Sequence, residues 1–529
     1  MPSIALANLS WSTPDGRSLF SNLAMSFGPE RTGLVGRNGV GKTTLLKLIT
    51  GELSPRSGTV SVSGTLEVLR QSVQVAMDET IADLFGVRDP LDLLSRAERG
   101  NATAHELADA DWMLEARIAG ALARAGLEAT AETPLSRLSG GQRTRAAVAA
   151  LIFREPDFLI LDEPTNNVDR SGRQAVIDLL AGWQGGAIVV SHDRELLDTV
   201  DGIVEMTTLG ATRYGGNWSR YRERKAVELA AAEHDLADAE KRIAHVNRSA
   251  QETVERKARK DRTGNKKAAR GDMPRIIAGG LRRKAENTSG ENARLAERMR
   301  TLAMEDVDAA RQKIEILQPL AVTLAPTGLP VSRTVLRIDD VTAGYDPQKP
   351  VLRNLSLEIV GPERIAVTGP NGSGKTTLLS MLTGALQPFA GEVRVPVKSA
   401  MLDQRVSLLD PALTIRDNFQ RLNPGADENA SRAALARFMF RADAALQVAG
   451  TLSGGQMLRA GLACVLGGPE PPLLLILDEP TNHLDIDSIS AVEAGIRAYD
   501  GALVVVSHDE LFLEAIGITR RLELGVSSA

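Results

Sequence analysis

The 529-residue chain contains one cysteine, Cys464. That excludes a disulfide framework and any zinc or iron–sulfur centre built on cysteine. A lone cysteine of this kind is chiefly a small buried apolar residue. Histidine is almost as scarce, with six in the chain, and aromatics make up 3%. No apolar run reaches the roughly 18 residues that cross a bilayer. The start, Met1-Pro-Ser-Ile-Ala-Leu, lacks the basic-then-apolar layout of a secretory leader. A cytoplasmic protein without membrane insertion is expected. Its length exceeds one ordinary core, so two or three domains are expected as well.

The net charge of −5 is unevenly distributed. Between Arg256 and Lys284 stand twelve Lys/Arg and two Asp, a local +10, which leaves 50 basic and 65 acidic residues elsewhere. A basic segment between acidic bodies points to a polyanion met at one place.

What the sequence does have is a long internal repeat. Gly36-Arg37-Asn38-Gly39-Val40-Gly41-Lys42-Thr43-Thr44 recurs as Gly369-Pro370-Asn371-Gly372-Ser373-Gly374-Lys375-Thr376-Thr377, an offset of 333. Gln71 and Gln404 share that offset. Ser139-Gly140-Gly141-Gln142 recurs as Ser453-Gly454-Gly455-Gln456 at 314, and Asp162 and His192 recur as Asp478 and His508 at 316. The first copy therefore holds 19 extra residues between Ser72 and Arg137. Short apolar stretches before each glycine loop, and the continuous runs Phe158–Leu161 and Leu473–Leu477, read as strands alternating with helices. The expected fold class is α/β, a mainly parallel sheet occurring twice.

Between the copies, Leu229, Leu236, Ile243 and Ala250 recur every seven residues with Ala232, Ala239, Val246 and Thr253 between them. That is a long amphipathic helix. Leu295, Met299, Leu302, Ala310, Ile314 and Leu317 suggest a return helix, with the basic stretch and several glycines at the turn. The expected division is a first domain over 1–221, a helical hairpin linker over 222–330 and a second domain over 331–529.

Each motif has a chemical reading. The two glycine loops are P-loops, whose backbone N–H groups and helix N-terminus cradle phosphate. Lys42 and Lys375 should reach the β- and γ-phosphates, and the Thr43 and Thr376 hydroxyls should bind Mg²⁺. Asp162 and Asp478 are the second Mg²⁺ contacts. Glu163 and Glu479, next in sequence, can deprotonate the water that attacks the γ-phosphate. His192 and His508, after the following strand, can contact that phosphate. The Ser-Gly-Gly-Gln stretches offer hydroxyl and N–H donors but no acid. Since each domain already has a P-loop, they make sense as readers of the other domain's nucleotide.

P-loop, glutamine, Leu-Ser-Gly-Gly-Gln, Asp-Glu and His in this order resemble the ATP-binding cassette ATPases, twice over. The resemblance implies two cassettes paired head to tail within a monomer around two ATP. One site would join Gly36–Thr44, Gln71, Asp162, Glu163 and His192 to Ser453–Gln456. The other would join Gly369–Thr377, Gln404, Asp478, Glu479 and His508 to Ser139–Gln142. It also implies Gln71 and Gln404 as Mg²⁺ contacts and Trp11 and Tyr345 against adenine. Asn167, standing where the second copy has His483, departs from the pattern in a loop that normally touches the opposite cassette.

Two cassettes, a charged linker, an "arm" insertion where the surplus falls, and Tyr214-Gly-Gly-Asn-Trp-Ser-Arg-Tyr221 resemble the ABC-F branch in particular. That implies a ribosome partner, with contacts to rRNA and tRNA near the exit site, and a role in translation or antibiotic protection. The alternative is a tandem ATPase serving separate transporter subunits, which would not need a hairpin with a +10 tip.

Overall fold

The computed structural model describes residues 2–69, 79–108, 110–166, 168–208, 210–268, 298, 301, 304, 323–482 and 484–525. Gln71, Asn167, His483, most of the expected return helix and the basic stretch beyond Ala268 lie outside them, whereas residues 256–268, expected in the turn, continue the helix Trp218–Ala268. The chain divides into one compact unit, Met1–Ser219 with Pro319–Ala529, and a second, Arg220–Gln318.

The first unit contains both repeats. In the first, β1 (Ser3–Ser12), β2 (Ser18–Phe27) and β4 (Ser57–Ser63) form an antiparallel sheet, order β2-β1-β4. A six-stranded sheet combines β3 (Arg31–Gly36), β5 (Leu66–Leu69), β6 (Phe158–Asp162), β7 (Gly186–Val190), β8 (Gly202–Thr207) and β9 (Gly210–Gly215) in the order β5-β6-β7-β3-β8-β9. All its pairings are parallel except β8–β9. Strand β6 is buried from Phe158 to Leu161, and β7 throughout. That is why both read as unbroken apolar runs rather than alternations. Leu45, Leu46, Leu48 and Ile49, from the helix Lys42–Ile49, pack into the same core as Phe27, Leu34 and Ile188.

The second repeat follows the same plan. An antiparallel sheet orders β11 (Leu352–Val360), β10 (Thr334–Ala343) and β13 (Ala390–Arg394). A parallel sheet orders β14 (Ser399–Leu402), β15 (Leu474–Asp478), β16 (Ala502–Val506), β12 (Arg364–Thr368) and β17 (Arg520–Glu523). In each sheet the strand before the P-loop, the strand before Asp-Glu and the strand before His run parallel. Their carboxyl ends therefore share one edge, the edge where open α/β sheets bind ligands.

The surplus of the first repeat is helical. The lone bridges Thr80↔Pro134 and Thr414↔Val448 mark equivalent points. The helices Leu114–Arg124 and Glu428–Arg437 each begin 25 residues before the signature serine. The extra chain thus falls between Thr80 and Leu114, where the helices Arg88–Glu98 and Ala104–Ala108 occur.

In the second unit the helix Trp218–Ala268 runs 51 residues. Ala232 and Ala239 are buried and Leu229, Leu236 and Ile243 half-buried, while most positions between are exposed. This is the seven-residue stripe of the sequence.

Candidate functional site

The P-loops hold their shape because glycine is the only side chain that fits. Gly36 lies at φ +150°, and a Cβ there would meet Met206 O at 2.4 Å; Gly369, at φ +143°, would meet Leu524 O at 2.5 Å. Arg37, Asn38 and Gly39 are exposed, as are Pro370, Asn371 and Gly372. Lys42 Nζ folds back onto Gly36 O (2.6 Å) and Arg37 O (3.3 Å). Lys375 Nζ does the same with Gly369 O (2.7 Å) and Pro370 O (3.2 Å), and also meets His508 Nε2 at 3.2 Å. Burial lowers the pKa of both ammonium groups, against the attraction of Glu163 and Glu479.

The carboxylates follow the strands. Asp162 ends β6 and Asp478 ends β15, and burial raises both pKa values. The Thr43 hydroxyl hydrogen-bonds to Asp162. Its Oδ1 is buried and has no hydrogen-bond partner among the described residues. Among those residues no cluster of three His, Cys, Asp or Glu could hold a metal. A cation at Asp162 would therefore take oxygen from one carboxylate, one hydroxyl, phosphate and water. That donor set fits Mg²⁺.

Glu163 and Glu479 share an unusual backbone, φ +47° and +46°. Non-glycine residues occupy that region at a cost of about 1–3 kcal/mol, and such strain clusters at functional sites. Each N–H is anchored to the neighbouring strand, Glu163 to Val190 O (2.8 Å) and Glu479 to Val506 O (2.9 Å). Burial pushes the Glu163 carboxyl up to about 8 and that of Glu479 to about 7. The same burial pushes His192 down to about 3 and His508 to about 4. His192 Nε2 lies 3.2 Å from Glu163 Oε1, and His508 Nε2 lies 3.4 Å from Glu479 Oε1. The first contact is close but not aligned as a hydrogen bond, and both ring nitrogens of His192 are buried without partners among the described residues. A buried polar ring left open in this way is a place for a ligand oxygen.

The signature serines are helix caps. Ser139 Oγ accepts from Gln142 N (3.3 Å), and Gln142 Oε1 accepts from Ser139 N (2.9 Å); Ser453 and Gln456 repeat this at 3.4 and 3.0 Å. The Gln142 and Gln456 side chains are thus engaged in reciprocal capping boxes, and each Ser hydroxyl keeps its proton for another acceptor. Gly141 allows close approach by Asp169, since a Cβ there would stand 2.3 Å from Asp169 Oδ1. Trp11 packs partly against the core of the first repeat, whereas Tyr345 is exposed.

The two repeats meet at these motifs. Gly140 of the first faces Asn371 of the second, Nδ2 lying 3.7 Å from where a Gly140 Cβ would stand. Asn38 N donates to Asp485 Oδ2 at 2.9 Å, and Arg37 pairs with Asp487 at 3.1 Å. A cavity of about 190 Å³ lies between the repeats. Gln404, Glu479 and His508 line it from one side, and Thr165, Arg173 and His192 from the other. Asp485, Asp487 and Arg173 are contacts that sequence reasoning did not assign. Their partners lie hundreds of residues away, and the available signal was the acidic residue ending each Asp-Glu-Pro-Thr-Asn loop.

Comparison with known proteins agrees with this geometry. The family model described as ABC transporter matches residues 21–166 and 352–482. The tylosin resistance ATP-binding protein TlrC of Streptomyces fradiae is 33% identical over 94% of this chain and 92% of its own. The energy-dependent translational throttle protein EttA of Mycobacterium tuberculosis is 31% identical over 94% of this chain and 87% of its own. Archaeal ribosome recycling factor aABCE1, solved with stalk protein aP1, has a similar fold, TM-score 0.57, at 18% identity over 98% of this chain and 87% of that one. Among the described residues no helix is long and apolar enough to cross a membrane. The chain belongs to the ABC-F family of ATP-binding cassette proteins, and it is an ATPase with two nucleotide-binding domains.

Proposed function

We propose that this protein binds the ribosome in an ATP-dependent way and modulates translation or protects it from antibiotics, releasing after hydrolysis. The observation that carries this reading is similarity along nearly the whole chain to a translational throttle protein and a tylosin resistance protein. Neither likeness is confined to the cassettes. The basic stretch Arg256–Lys284 supports a contact with RNA phosphates, which strengthens by counterion release.

In this reading each ATP lies between the P-loop of one cassette and the signature serine of the other, so binding closes the pair. Lys42 and Lys375 leave their loop carbonyls for phosphate oxygens. Thr43 with Asp162, and Thr376 with Asp478, would hold Mg²⁺, together with Gln71 and Gln404. When bound, that ion neutralises phosphate charge as it develops. Glu163 and Glu479, once ionised, take the proton of the attacking water, and His192 and His508 orient the γ-phosphate. Trp11 and Tyr345 are the adenine contacts. Cytoplasmic, ribosome-associated location follows from the same reading.

The test is sedimentation with ribosomes. The double variant Glu163→Gln with Glu479→Gln should stay on ribosomes with ATP, whereas the unaltered protein cycles off, and adding tylosin shows whether drug changes occupancy. If the double variant remains in the ribosome-free fraction at saturating ATP, the reading fails.

A further inference from the structure

The junction between the cassettes carries charges that the repeat does not share. Arg194 Nη2 meets Glu493 Oε1 at 2.5 Å, with side-chain exposures of 9% and 14%. Arg173, also largely buried, is held by both oxygens of Asp193 at 2.6 and 2.8 Å and donates to His508 O at 3.1 Å. Arg170 reaches Glu510 at 3.7 Å, while Arg521 of the second cassette holds that carboxylate at 2.6 Å.

The 316-residue offset identifies the matching positions. Arg194 corresponds to Glu510, Glu493 to Ile177, Arg170 to Ile486 and Arg173 to Ile489. The first cassette thus brings arginines to this face, and the second brings glutamates and isoleucines. A pair of first cassettes from two chains would set Arg194 against Ile177 and Arg170 against Arg194. A pair of second cassettes would set Glu493 against Glu510, two carboxylates in a half-dry junction. Only the unlike pair supplies the buried Arg194 with an acid. A buried charge left without its partner costs far more than the bridge contributes, so the effect falls on partner choice.

We propose that Arg194 and Glu493, backed by Arg170 and Glu510, form a charge key that directs each first cassette to close on a second cassette and not on its own kind. The key acts on closure rather than on phosphate chemistry, because none of these side chains comes from a P-loop, signature or catalytic carboxylate. It rests on the pairing of cassettes described above and not on the ribosome reading, so its test contains no ribosomes.

The test is a double-mutant cycle in the full chain, read as affinity for the non-hydrolysable analogue AMP-PNP with Mg²⁺. Arg194→Glu and Glu493→Arg should each weaken binding about tenfold or more. The doubly reversed chain, Arg194→Glu with Glu493→Arg, should return to within about threefold of the unaltered protein. The milder Arg194→Gln and Glu493→Gln replace either reversal that fails to fold; each should weaken binding alone, and the combined variant should recover most of the loss because no buried charge is left without a partner. A doubly reversed chain no better than the weaker single variant would overturn the proposal. Partner choice is read separately by light scattering. Glu493→Arg makes the second-cassette face self-complementary, since the introduced guanidinium would stand against Glu510 of another copy, and this variant should double in mass when AMP-PNP is added. A chain that loses affinity yet stays monomeric would show that the charges do not select the partner.

Discussion

Glu163 and Glu479 are buried alike, with side-chain exposures of 13% and 12%, and the base role proposed for each sets up a pH test. Glu479→Gln leaves only the Glu163 site to hydrolyse, and Glu163→Gln leaves only the Glu479 site. Burial holds Glu163 near 8 and Glu479 near 7. A base acts only when ionised, so activity is present above each value and lost as pH falls through it. At pH 6 only a minor fraction of either carboxyl is ionised, and at pH 9 the greater part of both. kcat/KM of each single variant should therefore rise about tenfold or more between pH 6 and 9. kcat/KM is the parameter to follow, because it reports the ionisations of the free enzyme. Phosphate release over pH 6–9, with Mg²⁺ and ATP fixed, gives both profiles. A profile that stays flat from pH 6 to 9 in either variant would refute the link between burial and base strength.

Three further outcomes follow from local geometry. Gly36→Ala forces a Cβ into Met206 O at φ +150°, so it should cost about 1–3 kcal/mol in thermal unfolding and abolish ATP binding at the first P-loop. Ser139→Ala removes the acceptor for Gln142 N and should lower stability by about 1 kcal/mol; it should also impair ATP turnover in Glu163→Gln more than in Glu479→Gln, since Ser139 faces the second P-loop. Replacing Arg282, Arg283 and Lys284 by Ala should leave AMP-PNP affinity unchanged, weaken ribosome sedimentation and flatten its salt dependence; loss of AMP-PNP binding would show instead that the tip is structural.

Much of the site was legible because its chemistry is local. A P-loop is nine consecutive residues, and the run Phe158–Leu161 announces a strand buried on both faces before Asp162. The surplus could be assigned to a window from offsets alone, and the structure narrows it to helices after Thr80. The capping boxes were also present as Ser-x-x-Gln, but the same residues read first as phosphate donors. What could not be read was pairing across the repeat. Asn38 with Asp485 is separated by 447 residues and Arg194 with Glu493 by 299. No periodicity reports such contacts. The raised pKa of Glu163 and Glu479 was equally hidden, since a motif does not report how much protein surrounds it.

Val190 accepts from the N–H of Glu163 and stands two residues before His192. Val506 stands in the same relation to Glu479 and His508. Proton acceptor and phosphate contact therefore hang from a single peptide at the end of one strand. A shift of that strand end carries the two groups together and preserves their spacing, whereas the P-loop rides on a different strand. In the proposed mechanism, misalignment between these strand ends would disturb proton transfer and phosphate contact in the same movement.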